Sequence, residues 1–244
     1  MKKLLSLGCF LFVLLSACQK QELQPDPKQA ESKDLSKTHD KAPTENGKTV
    51  RILYIIPDDR SFNRTYNNAI KKAAGIIDRW YRSEMDGLSY LTNNPVVEIF
   101  QSDKPASWFG SDNGGISGTD PFFYFFWNTF TEMESLLGAG WYSPGATAYM
   151  VYVDAYGQTG AGFTGFCALP EHDLLGIAGE DNNPPIQWTG GQAHELGHAF
   201  GLPHPDQTHP SYNETLMGFG YASFPNTFLL DSDKEILLAS GFFN

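Results

Sequence analysis

Cysteine is nearly absent: three in 244 residues provide no disulfide framework. Basic residues are short as well, 17 lysines and arginines against 28 aspartates and glutamates, and the formal charge of -11 repels nucleic acid and anionic surfaces. The longest largely apolar stretch, Leu4 to Leu15, falls well below the roughly 20 residues that a bilayer-crossing helix needs. No internal repeat occurs, which excludes a solenoid. Histidine is scarce too, six in all, yet three of the six stand within "HELGHAFGLPHP", His194 to Pro205. Material for a core is ample, with 41% hydrophobic and 14% aromatic residues, and the length suits one large domain or two small ones.

The chain begins with Lys2 and Lys3, the short apolar stretch and small residues before Cys18, which make residues 1–17 a signal peptide. "LSAC" resembles the lipobox of bacterial lipoproteins. The resemblance implies cleavage before Cys18, a lipid on that cysteine and anchoring to a membrane without crossing it. Gln19 stands where an inner-membrane retention signal places Asp, so the expected location is the outer membrane of a bacterial envelope. Loss of the signal deepens the negative charge and, with Cys18 lipidated, leaves Cys167 without a partner. Residues 18–48 hold two leucines, no aromatic residue and many mixed charges, too little apolar surface to fold, and they read as a disordered tether.

The folded part, residues 49–244, opens with the buried-strand pattern "TVRILYIIP". Asn63 caps a predicted helix whose Ile70, Ala73, Ala74, Ile77, Trp80 and Tyr81 form one apolar stripe. "PVVEIFQ" and "ATAYMVYVDAY" read as strands, and Asp120 with Pro121 starts the helix "FFYFFWNTFTEMESLL", whose aromatics are expected in the core. This order predicts an α/β (α+β) fold, a mixed twisted sheet with packed helices. "GAGFTG" matches the dinucleotide pattern G-x-G-x-x-G, but the strand-like "FCALP" follows it, so there is no helix N-terminus to hold a phosphate.

On a helix, His194 and His198 lie one turn apart on the same face and can reach one ion. Glu195 beside them is placed to take a proton from water whose pKa zinc lowers to about 7. Gly201 can adopt a left-handed conformation, end the helix and turn the chain so that His204 reaches the same ion, with Pro203 and Pro205 blocking any continuation. Three imidazoles leave a tetrahedral position open, the arrangement of one catalytic zinc rather than a structural one.

HExxHxxGxxH resembles the signature of metzincin metallopeptidases, whose methionine turn is matched by Met217 in "ETLMGFG". The resemblance implies a metzincin-like catalytic domain with a zinc helix and a small C-terminal subdomain. It implies zinc ligands at His194, His198 and His204, the general base at Glu195, the turn at Gly201 and the floor of the site at Met217. Pro205 is similar to serralysin-type members. "GFCALP" looks like the edge strand ahead of the zinc helix in matrixins and serralysins, so Gly165, Phe166, Cys167, Ala168 and Leu169 are the expected substrate-binding backbone. Serralysins and astacins carry a transition-state tyrosine two residues after the turn methionine. That position is Phe219 here, and Tyr221 is the candidate left for the role.

His172 and His209 read as exposed loop histidines, and Asp206 either orients a ligand histidine or is solvated. "SDNGGISGTD" and "EDNNPP" do not fit EF-hand spacing, so calcium is unsupported and turns are expected. The leading expectation is a zinc endopeptidase acting on peptides or proteins outside the cytoplasm. Two readings stay open beside it, a non-catalytic binding or adhesin lipoprotein and a zinc amidase acting on other amides. The presence of Glu195 weighs against the former.

Overall fold

A computed structural model describes residues 48–113 and 120–244. The signal peptide, Cys18, nearly all of the tether and the middle of "SDNGGISGTD" lie outside the described residues.

Five strands form one sheet: β1 (Thr49–Ile56), β2 (Thr92–Gln101), β3 (Thr147–Val153), β4 (Ala161–Phe163) and β5 (Phe166–Leu169). Their order across the sheet is β2-β1-β3-β5-β4, all parallel except β4, which runs antiparallel to β5. The expected mixed sheet is therefore present. Strands β1 and β3 read as continuous apolar runs because both faces of the sheet are covered. Val50, Ile52, Tyr54 and Ile56 enter one core and Leu53 and Ile55 the other, and β3 alternates in the same way through Met150 and Val151. Pro95 fits within β2 because β2 is an edge strand.

The first core packs beneath α1 (Arg64–Glu84), α4 (Glu171–Ala178) and α5 (Pro185–Ala199). Asn63 caps α1 as its sequence suggests, its side chain accepting from the backbone N–H of Thr65 at 2.9 Å and of Tyr66 at 3.4 Å. The second core lies under a short α2 (Ala106–Phe109) and the aromatic α3 (Tyr124–Leu137), entered through a 3-10 turn that Asp120 caps. Past α5 the chain is irregular until α6 (Asp231–Ser240). Leu216, Met217, Phe224, Leu237, Phe242 and Phe243 nevertheless join the first core, so this C-terminal part seals the underside of α5.

Two expectations need correction. Phe166–Leu169 is not the edge of the sheet: β5 is bonded to β3 on one side and β4 on the other and is fully buried, leaving no free backbone for a substrate. The edge on that side is β4, inside the segment dismissed as a false nucleotide motif. His172 is not in a loop either, but in the first turn of α4.

Helices α4 and α5 meet closely at Gly176, where a Cβ would stand 2.1 Å from the Trp188 indole. Gly176→Ala is therefore expected to cost about 1–3 kcal/mol by overpacking. Gly75→Ala in α1, whose nearest neighbour is the flexible Arg79 guanidinium at 3.5 Å, is expected to gain up to about 1 kcal/mol of helix propensity. Urea unfolding midpoints at unchanged slope measure both, and a Gly176→Ala protein as stable as the parent would contradict this packing.

Candidate metal centre

Helix α5 carries His194 and His198 on one face, and the returning chain adds His204. The three Nε2 atoms stand 3.1 Å (His194 to His198), 3.1 Å (His194 to His204) and 2.9 Å (His198 to His204) apart. Main-chain carbonyls hold two of the rings: Nδ1 of His194 donates to Leu216 O at 2.7 Å, and Nδ1 of His198 to Leu202 O at 2.8 Å. A carbonyl only accepts, so each Nδ1 carries the proton and each Nε2 presents a lone pair. Burial holds both imidazoles neutral, pushing His194 down to about 3 and His198 below its ordinary value.

Lone pairs converging at this distance repel one another unless a cation lies between them. Tetrahedral zinc with nitrogens at about 2.0–2.1 Å separates its ligands by about 3.3 Å, close to what is seen, so the donor set fits zinc. Among the described residues this is the one group of three His, Cys, Asp or Glu side chains close enough together to hold a metal. In "EDNNPP", Asp181 instead accepts from Asn183 N–H and the Trp188 indole N–H.

The turn after α5 explains how His204 arrives. Gly201 has φ +99°, its N–H donates to His198 O at 2.9 Å, and Leu202 N–H donates to Gly197 O at 3.0 Å. These are the two bonds of a Schellman motif, which ends the helix. The same turn presents the Leu202 carbonyl to His198. Asp206 serves the loop beyond, accepting from the Thr208 backbone and hydroxyl, and has no bond to a ligand histidine. His209 is half-buried in that loop and bonds the Ser211 backbone.

Met217 is fully buried under α5, and a Cβ on Gly197 would meet its sulfur at 2.5 Å. Leu216, one residue earlier, supplies the carbonyl that orients His194, so the turn both supports the helix and aims a ligand. Phe219 points outward, 55% exposed, while the Tyr221 ring lies 5.0 Å from that of His194. Of these two residues, Tyr221 is the one against the ligands.

Glu195 borders a cavity of about 380 Å³ shared with His194, Asp173, Trp188 and Tyr221. Burial, with Asp173 nearby, pushes the Glu195 carboxyl up to about 8. Strand β4 lies directly on α5: a Cβ on Gly162 would stand 2.6 Å from Glu195 O and 2.9 Å from His198 Cβ. Only glycine permits that approach. Cys167 is completely buried, and burial pushes its thiol up, which makes it a packed apolar residue and not a nucleophile.

Asp173, Trp188 and Gly162 were not singled out from the sequence. Trp188 had a readable signal, since Trp188, Gly191 and Glu195 recur at helical spacing and share a face. Asp173 had none, because only the packing of α4 on α5 brings it to Glu195.

No protein-family model and no curated protein matches this sequence. Among solved structures, OgpA from Akkermansia muciniphila matches with a TM-score of 0.55 at 20% identity over 83% of this chain. A catalytically inactive OgpA in complex with an O-glycopeptide (glycodrosocin) substrate matches with a TM-score of 0.59 at 20% identity over 86%. The chain spans 63% and 65% of those two OgpA chains. Archaemetzincin from Methanopyrus kandleri is a looser match, TM-score 0.44 and 14% identity over 82% of this chain and 98% of its own. The mixed α/β fold of this chain is similar to that of OgpA.

Proposed function

We propose that this protein is a zinc-dependent endopeptidase. The observation that carries the reading is the convergence of three histidine Nε2 atoms within 3.1 Å, beside a carboxyl that lines a cavity. Zinc held by His194, His198 and His204 supplies Lewis acidity, polarising a substrate carbonyl and lowering the pKa of water to about 7. Glu195 accepts a proton from the attacking water and passes it to the departing amine nitrogen. The Tyr221 hydroxyl donates to the developing oxyanion, a role favoured by the contact of its ring with His194.

An extended peptide adds to the sheet along β4, antiparallel to β5 and with its other edge unpaired among the described strands. The shared fold with OgpA, solved with an O-glycopeptide, favours peptides over other amides and makes glycosylated peptides part of any substrate search. The lipobox-like "LSAC" supports attachment through Cys18 to a bacterial envelope membrane, the outer membrane being favoured by Gln19.

Protein grown with zinc is expected to hold one equivalent by elemental analysis, and His198→Ala to lose it. Glu195→Ala, which removes no ligand, should retain zinc while kcat/KM on a cleaved peptide falls by a factor of about a hundred or more. A zinc-loaded wild type that cuts no member of a broad peptide library would overturn the peptidase reading in favour of a binding protein. For the anchor, Cys18→Ser should move the protein from the membrane to the soluble fraction, and persistence on membranes rejects lipidation there.

A further inference from the structure

The cavity beside Glu195 has a chemistry that hydrolysis does not require. Four stretches of chain build it: α5 supplies Glu195 and Trp188, α4 supplies Asp173 and His172, the chain before β4 supplies Gly160, and the turn after Met217 supplies Tyr221. The Asp173 side chain is only 8% exposed, and its Oδ2 lies 3.6 Å from where a Cβ on Gly160 would sit. A carboxylate taken this far from water is costly unless something compensates it.

The protein offers little compensation. No lysine or arginine lines the cavity, and Glu195 adds a second carboxyl to it. His172 Nε2 is 3.3 Å from Asp173 Oδ2, but burial lowers the His172 pKa, so the ring is neutral at physiological pH and supplies no countercharge. Gln192 Nε2 donates, at 3.4 Å, to the Asp173 main-chain oxygen and also bonds the Asp173 carboxyl, a neutral partner that supplies no countercharge. Asp173 stands in the first turn of α4, where the helix N-terminus offsets only part of the cost of a buried carboxylate. Burial pushes Asp173 up to about 7, as expected for a carboxyl lacking a cation.

The position of the cavity says which substrate group enters it. Glu195 delivers the proton to the leaving nitrogen, so the residue bearing that nitrogen sits beside Glu195 and its side chain continues into the cavity. Resting on the peptidase reading, we propose that this cavity is a specificity pocket for a basic side chain, lysine or arginine, on the residue whose nitrogen leaves, with Asp173 as its countercharge. The Trp188 indole adds a surface over which a cation is attracted. A neutral sugar in the same space hydrogen-bonds to Asp173 but leaves its charge uncompensated.

The test uses the zinc-loaded full chain and a peptide series varied only at the residue after the cut: lysine, arginine, leucine, glutamate, serine and O-glycosylated serine. The basic peptides are expected to exceed leucine by about tenfold or more in kcat/KM, with glutamate poorest. In Asp173→Asn that ratio should fall to about one, through selective loss on the basic peptides. Fastest cleavage of leucine or of glycosylated serine by the wild type overturns the proposal without using any variant. An equal loss on every peptide in Asp173→Asn, with zinc retained, reduces Asp173 to a structural residue and also overturns it. Failure to cut any peptide removes the peptidase reading and this proposal with it, whereas cleavage without a basic preference removes this proposal alone.

Discussion

Two backbone carbonyls determine whether this site exists. The oxygens of Leu202 and Leu216 accept from Nδ1 of His198 and His194, and thereby fix which nitrogen keeps its lone pair. Both belong to chain beyond the end of α5, one in the turn that stops the helix and the other just before Met217. The converging imidazoles are therefore not a property of the helix alone. Their tautomers and directions depend on how the irregular C-terminal part folds back, which explains why Leu216, Met217 and Phe224 are buried in the same core as α1 and α5. Packing energy spent there is what holds the imidazoles in their binding form.

A second constraint is distance. Gly162 lets β4 rest on α5 with no side chain between them, and Gly197 lets Met217 rise against the helix from below. The helix is thus clamped between a strand above and a turn beneath. Each clamp uses a position where even one methyl group would collide with what is already there. The result is that β4 lies against the helix that carries His194 and His198, although 32 to 43 positions separate Gly162 or Ala161 from His194 and His204 along the chain.

The legible parts of the sequence were those governed by local rules. Strands β1 and β3 showed as apolar runs because both faces are buried, α1 showed through its stripe and its Asn63 cap, and the ligand set showed because helical spacing and one glycine suffice to gather it. What failed depended on pairing partners. "FCAL" and "AGF" are both short and apolar, and nothing in either says which is the edge; β5 lies inside only because β3 pairs with it in parallel. His172 read as a loop residue because its neighbours are polar, whereas it stands in the first turn of α4. Asp173 was silent for the same reason: its meaning comes from a helix-to-helix contact, not from its neighbours in sequence.

That contact bears on how the site handles charge. Asp173 and Glu195 face one cavity from different helices, and burial raises both above the ordinary carboxylate range. The charge of Asp173 makes ionisation of Glu195 harder still. A positive charge entering beside Asp173 would stabilise its ionised form, and a cation held by the three imidazoles would do the same for Glu195. In a chain carrying 28 acidic side chains against 17 basic ones, the rest of the surface adds no positive field to replace the missing charge.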